Sequence, residues 1–417
     1  MRYGGVRVKH RDGGGMKFDH PAIPIVLAAV MIDSIGFGIV LPVLPKLIQA
    51  LGDVGKADAA RIGGLMLFAY SIAQFFAAPV LGSLGDSIGR RPVLLFSMLA
   101  FSIDYAFQAA APTLAWLFVG RAIAGIAGAT YGPANAVLAD VTPPEKRGPV
   151  FGLMGAAFGI GFVLGPAIGG MLSFLGPRAP FIAAAVLSAL NGAWIYFMLP
   201  ETMGADRRRT FEWKQAHIFG AFRPLANAGN AKWLLAAAFL WQFAHMVYPA
   251  TWSFWAEIAL DWNERQIGWS LAASGIAMAA VQMLVTGRAI KRLGEERTVV
   301  IGMLVGGLAF TAYVFVRSPW LIYAILFAGA FQALTFPSVN ALLSKLADAS
   351  HQGALMGGMQ SLSSVAWIFA PLLLSNALAS GAERGFTGGN FVVAAALVFV
   401  ALAIVVTKVV PKVAKAT

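Results

Sequence analysis

A chain of 417 residues that is 59% hydrophobic and only 12% charged falls far below the roughly one-quarter charged residues of soluble domains, which excludes a soluble enzyme or binding module. Its formal net charge of +12 would suit nucleic-acid binding, but the basic residues lie in short stretches between apolar runs, the pattern of membrane topology. Cysteine is absent, so the chain has no disulfides and no thiolate metal site.

Residues 1–19 are polar, basic and glycine-rich and lack the apolar region of a signal peptide. They are expected to be disordered, with Met16 an alternative start. Apolar runs long enough to cross ~30 Å of hydrocarbon as helices follow. They predict spans 1 to 6 over 23–50, 61–84, 92–111, 114–139, 149–173 and 179–199. After a basic segment, 200–231, spans 7 to 12 are expected over 232–258, 267–290, 297–316, 319–346, 352–379 and 388–408. The expected fold is an all-α membrane protein of twelve transmembrane helices in two six-helix bundles, 23–199 and 232–408. A cytoplasmic tail (1–22), a linker (200–231) and a second tail (409–417) complete it. Of the 31 Lys and Arg, 23 fall on the side of the two tails and seven on the other, Arg121 lying within span 4. Both termini are therefore expected in the cytoplasm.

The two halves repeat. Gly82 and Gly287, Gly89 and Gly294, Gly148 and Gly353, and Pro166 and Pro371 share one offset. Parallel repeats of this kind place a substrate between the halves near the midplane.

A charge at mid-membrane costs at least ~2.5–3.5 kcal/mol, so it needs a cavity or a partner. Asp33 and Asp104 lie near mid-depth of spans 1 and 3, and Arg121 lies in span 4. Asp104 and Arg121 suit either a structural ion pair or proton coupling. Asp33 has no basic neighbour in its own span, and a carboxylate withdrawn from water binds protons more readily. His245 is a second titrating group or a packing residue. The repeat places Ala238, Ala309 and Leu326 opposite Asp33, Asp104 and Arg121, so proton coupling is expected mainly in the first half. Between spans 2 and 3, Gly82, Gly85, Asp86, Gly89, Arg90 and Arg91 suggest a tight glycine turn and a charge cluster that locks one conformation. Gly125, Gly128 and Gly132 follow Arg121 on one face of span 4. In span 5, Gly161, Gly165, Pro166 and Gly169 form a small-residue seam, read as a sliding or rocking surface rather than ordinary packing.

These residues resemble the major facilitator superfamily, and within it the twelve-helix drug:proton antiporters. Gly82 to Pro92 is similar to the superfamily's signature between spans 2 and 3. Arg121 to Gly128 resembles its span 4 motif, and Gly155 to Gly170 the span 5 signature of antiporters. Asp33, Gly36, Gly38, Pro42 and Pro45 match the first span. The tetracycline-efflux pumps of Gram-negative bacteria resemble nearly the whole chain, including Asp104-Tyr105, Asp140, Glu201 and Gln266. The resemblance implies a gate at Asp86 with Arg90 or Arg91, a required Asp104–Arg121 pair and a cavity residue at Gln282. Met278 and Gly306 stand where those pumps carry a histidine and an aspartate tied to drug–metal recognition, so antiport is better supported than tetracycline itself.

Gln242, His245, Tyr248, Trp252, Gln282, Gln332, Phe336 and Asn340 are the expected cavity residues of the second half. Aromatic walls there, which also include Trp241, Phe243, Phe254, Trp255 and Phe331, suit a bulky amphipathic compound. The resulting expectation is a monomeric, proton-driven exporter of a drug-like compound in a bacterial inner membrane. Its partners are a small-molecule substrate, protons and the bilayer, with no cofactor, metal or nucleic acid. Export of an endogenous metabolite, sugar or lipid is the alternative. A non-transporting sensor has little reason to bear buried charges. Five scattered histidines supply no enzyme site, and no phosphate-binding loop points to ATP.

Overall fold

In the computed structural model, residues 20–128, 130–211, 229–346 and 352–413 are described. Most of the first tail, the middle of the linker and the end of the last tail lie outside the described residues. Among those described, the chain is helical and has no strand. Eleven helical stretches are long and apolar enough to cross a membrane. A twelfth, span 7, is divided into Lys232–His245 and Val247–Leu260.

One span in three is broken. Span 1 is Ala22–Val40 followed by Leu44–Gly52, and span 4 is Leu114–Ala127 followed by Tyr131–Val141. Span 10 is Pro319–Gly329, a 3-10 turn at Ala330–Leu334, and Thr335–Leu346. Proline explains each restart. Pro133, Pro249 and Pro337 each occupy the third position of the second helix, and Pro45 the second. A first-turn N–H has no intrahelical acceptor, so proline is tolerated there, whereas it breaks a helix interior at a cost of about 3 kcal/mol. The continuous helices expected for these spans are corrected accordingly. Spans 2, 3, 5, 6 and 8 run over Lys56–Ile88, Arg90–Ala109, Arg147–Leu172, Ala179–Met198 and Glu264–Leu284. Spans 9, 11 and 12 are within Thr286–Phe315, Gln352–Glu383 and Gly389–Ile404. Span 8 ends at Leu284, short of the expected 290.

Within the first half, span 1 packs on spans 5 and 6, span 2 on span 4, and span 3 on span 6. In the second half, span 12 packs on spans 7, 9 and 11. The halves meet where span 5 touches span 8, span 2 touches span 11, and span 7 reaches spans 1 and 2. Two of these contacts are copies of one another. A Cβ added at Gly268 would lie 2.3 Å from the Pro166 carbonyl oxygen, and one at Gly64 would lie 2.9 Å from that of Pro371. The prolines share the repeat offset, so the same proline-against-glycine contact is made twice.

We call the end at which the described chain begins (His20) and finishes (Val413) the terminal end and the opposite one the distal end. On span 5, Gly152, Gly155, Gly159, Val163, Pro166 and Gly170 follow helical spacing along one face. Toward the distal end Val163 meets Gly275, and Pro166 and Gly170 meet Gly268. Toward the terminal end, Cβ atoms added at Gly152, Gly155 and Gly159 would meet nothing within 4 Å. The halves are thus in contact distally and part toward the terminal end.

The expected sliding seam is corrected by this packing. Gly161, Gly165 and Gly169 face span 1 of their own half, where added Cβ atoms would lie 2.3 Å from Met31 O, 2.7 Å from the Gly38 Cα and 2.0 Å from Ile39 O. Contact that close fixes two helices in one bundle. The surface between halves is the neighbouring face, through Pro166 and Gly170.

Candidate functional site

Between the halves lies a cavity of about 30 Å³ lined by Phe37, Leu41 and Leu44 of span 1, Gly63, Met66 and Leu67 of span 2, Arg121, and Pro249, Ala250 and Phe254 of span 7. Asp33 is four residues before Phe37, on the same helix face one turn nearer the terminal end, and His245 ends the first helix of span 7, just before the joint that leads to Pro249. Thr130, at the break in span 4, donates its hydroxyl to Asp33 Oδ2 at 3.2 Å. Asp33 is half-buried and has no cationic partner within ion-pair distance among the described residues.

Asp104 and Arg121 come together as an ion pair, Nη2 to Oδ2 3.8 Å, with side-chain exposures of 0% and 8%. Gln108, one turn along span 3, donates to the same carboxylate oxygen. Gly120 is what admits this group: a Cβ there would lie 2.6 Å from Gln108 Cγ and 3.1 Å from Asp104 Oδ1. The guanidinium carbon sits 6.0 Å from the Tyr70 ring centroid, a cation–π contact. Arg121 Nε and Nη2 and Asp104 Oδ1 are buried without hydrogen-bond partners among the described residues. The cluster therefore has unused donors and an unused acceptor, and its Arg121 reaches the cavity wall, the properties expected of groups that exchange partners. On span 4, Gly125 and Gly128 pack against Tyr70, whereas nothing lies within 4 Å of a Cβ at Gly132.

At the terminal end, the segment from Gly82 to Arg91 is not a loop built on two glycines. Span 2 stays helical through Gly82, Gly85 and Asp86 to Ile88, and the turn is made by Gly89 alone, at φ +110°. Its repeat partner Gly294, at φ +80°, breaks the helix before span 9 in the same way. Arg90 pairs with Asp86 at 2.6 Å and Asp140 at 3.4 Å, and Gly85 leaves room for its side chain, a Cβ there lying 3.0 Å from Arg90 Nη1. Arg91 instead caps span 6, donating to the Tyr196 carbonyl. The Glu201 carboxylate accepts the backbone N–H groups of Arg90 (3.0 Å) and Arg91 (3.2 Å) at the start of span 3, a helix N-terminus that favours an anion. Apart from Glu201, at the start of the linker, these partners belong to the first half.

In the second half His245, Gln332 and Tyr248 form one chain. His245 Nδ1 is 2.9 Å from Trp241 O and Nε2 is 2.8 Å from Gln332 Oε1, while Gln332 Nε2 donates to the Tyr248 hydroxyl at 3.0 Å. Other expected wall residues are placed differently. Trp252 is 1% exposed and Trp255 0%, and both rings pack against Tyr313 and Phe391 inside the bundle. The Trp252 indole donates to Ser270 Oγ at 2.9 Å, so it is core rather than cavity wall. Gln282 is exposed two residues before the terminal end of span 8, away from mid-depth. Gln242 and Asn340 are half-buried, Asn340 Oδ1 lacking a hydrogen-bond partner, and Phe336 is exposed. Among the described residues no three metal-ligating side chains gather.

A second constellation escaped the sequence. At the distal end polar bridges join the halves: Lys46–Glu264 at 2.9 Å, Lys56–Asp261 at 2.7 Å and Arg61–Glu383 at 2.5 Å. Gln49 donates to both Glu257 oxygens at 3.0 Å. Lys56, through its hydrogen bond and its charge, holds the Asp261 carboxyl below the usual carboxylate range. Lys56 and Asp261 are 205 residues apart, the offset of the repeat itself. Opposite charges at equivalent positions, one per half, meet across the pseudo-two-fold axis, and that spacing was the available signal.

This architecture has known counterparts. A model of the Major Facilitator Superfamily matches residues 26–261 and 243–417. The chain is 38% identical to the class C tetracycline resistance protein of Escherichia coli over 91% of its own length and 95% of that protein's. It is 36% identical to the class G protein of Vibrio anguillarum over 91% and 96%. The crystal structure of the human organic anion transporter MFSD10 superposes with a TM-score of 0.69 at 24% identity, covering 92% of this chain and 99% of the other, which supports the fold. The chain belongs to the Major Facilitator Superfamily and is a multi-span membrane transporter of small molecules, not an enzyme.

Proposed function

We propose that the protein is a proton-driven exporter of a hydrophobic or amphipathic, tetracycline-like compound, working by alternating access as a monomer in a bacterial inner membrane. The bundles 23–199 and 232–408 are joined by the linker 200–231, and both termini face the cytoplasm, in keeping with the excess of Lys and Arg at the terminal end. The conformation described is then the inward-facing one, with the distal end its closed outer gate. The tetracycline resistance proteins at 36–38% identity support the drug class. No cofactor is needed, because the proton gradient supplies the free energy.

The observation that carries this reading is the buried Asp104–Arg121 pair, whose Arg121 lines a cavity between the halves, with Asp33 one helical turn from the cavity residue Phe37. Protonation of a carboxylate there would favour one state and substrate the other; a ligand shifts a conformational equilibrium only through unequal affinity. Asp86, Arg90 and Arg91 serve the inner gate, with Glu201 fixing the backbone beneath them.

The test is uptake of labelled tetracycline, and of a panel of lipophilic cations, into inside-out vesicles under a pH gradient, with Asp33→Asn and Asp104→Asn alongside. Uptake that collapses with a protonophore and in either variant is expected. Gradient-independent behaviour of every compound overturns the drug-efflux reading and leaves the metabolite or lipid alternative.

A further inference from the structure

The hydrogen bonds around His245 do not balance as a neutral imidazole. Both ring nitrogens face oxygen atoms, Nδ1 the Trp241 carbonyl and Nε2 the Gln332 Oε1. A neutral ring carries one N–H and one lone pair, so it can donate to only one of the two. The carbonyl cannot donate, so Nδ1 must carry hydrogen. Nε2 then has two solutions. Either it is protonated and donates to Oε1, making an imidazolium, or the Gln332 amide is turned over and its N–H donates to the bare nitrogen. In the second arrangement Oε1 takes the place facing Tyr248, and the Tyr248 hydroxyl reverses from acceptor to donor. Two protonation states of one ring thus correspond to two orientations of one amide and one hydroxyl.

We infer that His245, Gln332 and Tyr248 form a proton-responsive site in the second half, in which protonation of His245 turns the Gln332 amide and biases the closure of the distal end. The proton balance is simple: one proton from solvent binds Nε2 and is later returned, and no other covalent bond is made or broken. The site is built for restraint. The Trp241 ring lies 3.9 Å from the imidazole centroid and Phe310 5.4 Å, and Gln332 is 2% exposed. Gly306 of span 9 accommodates Trp241 and Gln332, an added Cβ lying 2.9 Å from the indole and 3.4 Å from Gln332 Cβ. The titratable groups near the ring are the hydroxyls of Tyr248 on its own span and Tyr313 on span 9, whose interaction partner is Tyr248. Among the described residues of spans 9, 10, 11 and 12, no charged side chain acts on it.

Position links this site to the gate. His245 is the last residue of the first helix of span 7, and Val247 starts the second, with Pro249 at its third position. That second helix carries Phe254, against which Gly63 packs so closely that a Cβ would lie 2.2 Å from the ring, and Glu257, which holds Gln49. Gln332 lies in the 3-10 turn that breaks span 10. The chain therefore connects the two joints of the second half, one of which bears the distal contacts.

The inference rests on alternating access but not on the identity of the substrate, so its test uses none. Full-length protein in lipid nanodiscs, labelled with ¹⁵N-histidine, is compared with His245→Gln; five histidines make the difference spectrum assignable. The wild-type His245 signal should pass from the Nδ1–H neutral form to the imidazolium as the pH is lowered from about 9 to about 4. Gln332→Leu should move that midpoint by about one unit or more, a tenfold change in proton affinity. Because the chain has no cysteine, spin labels at Phe174→Cys and Trp320→Cys, both highly exposed at the distal end, report closure. The open fraction should change by up to about tenfold per pH unit around the same midpoint, and His245→Gln or Tyr248→Phe should flatten that response. A His245 that keeps one charge and tautomer across the range overturns the proposal. So do label distances that titrate identically in wild type and His245→Gln. Failure of tetracycline transport in the vesicle assay leaves both readouts intact.

Discussion

The two ends of the molecule hold their charges differently. At the distal end, Lys46, Lys56 and Arg61 of the first half reach Glu264, Asp261 and Glu383 of the second. At the terminal end the ion pairs given by the described residues each lie within one half, Arg90 with Asp86 and Asp140, and Lys345 with Glu295. The first arrangement must be broken for the molecule to open there, whereas the second survives either state. The glycine contacts follow the same division, close at Gly268 and open at Gly155. A lock between bodies is thus distinguishable from a brace within one.

The largest test of that distinction is Gly268→Leu. Overpacking against the Pro166 carbonyl costs roughly 1–3 kcal/mol, so the distally closed state should lose about 5- to 150-fold in population, read as longer distances between labels at Phe174→Cys and Trp320→Cys. Unchanged distances would break the comparison. Next, Arg90→Ala removes a well-buried brace. Bundle stability should fall by about 1.5–3 kcal/mol, seen as a lower melting temperature, with distal closure unchanged. Arg90→Lys should restore little, since one ammonium replaces a fork that meets two carboxylates. A smaller effect is expected for Arg61→Ala. Its pair with Glu383 is half-exposed (29% and 49%), and such pairs contribute ~0.2–1 kcal/mol, so closure should shift up to about fivefold and less in high salt. The smallest concerns Asp261. Its carboxyl is held below the usual range, so its share of closure is complete above the unpaired carboxylate range and is lost as pH falls through the lowered value. Asp261→Asn should remove that acid-dependent step from the label distances while leaving any step near neutrality.

Much of the fold was legible because a lipid-spanning helix needs only length and apolarity, and these are local. The breaks were not read, although the prolines responsible are plain at 45, 133, 249 and 337, because a proline after a mid-span restart looks the same as one that merely kinks. The Asp104–Arg121 pair was legible from the cost of burying a charge. The distal bridges were not, since charges at loop ends are ordinary there, and only the repeat offset shared by Lys56 and Asp261 distinguishes one of them. Trp252 was misplaced for a different reason: composition gives aromatic content but not which helix face a ring occupies. For Gly161, Gly165 and Gly169 the spacing correctly indicated close approach, but close approach does not say whether the partner belongs to the same body.

The broken spans have a mechanical consequence. Span 7 is two rods of 14 residues, each about 21 Å long, hinged at Met246. A rod docked on the opposite half can tilt with that half while its other member stays with its own bundle. Strain between the bundles can then be absorbed at four proline hinges rather than across every packed surface, and a single side chain seated at a hinge has leverage out of proportion to its size.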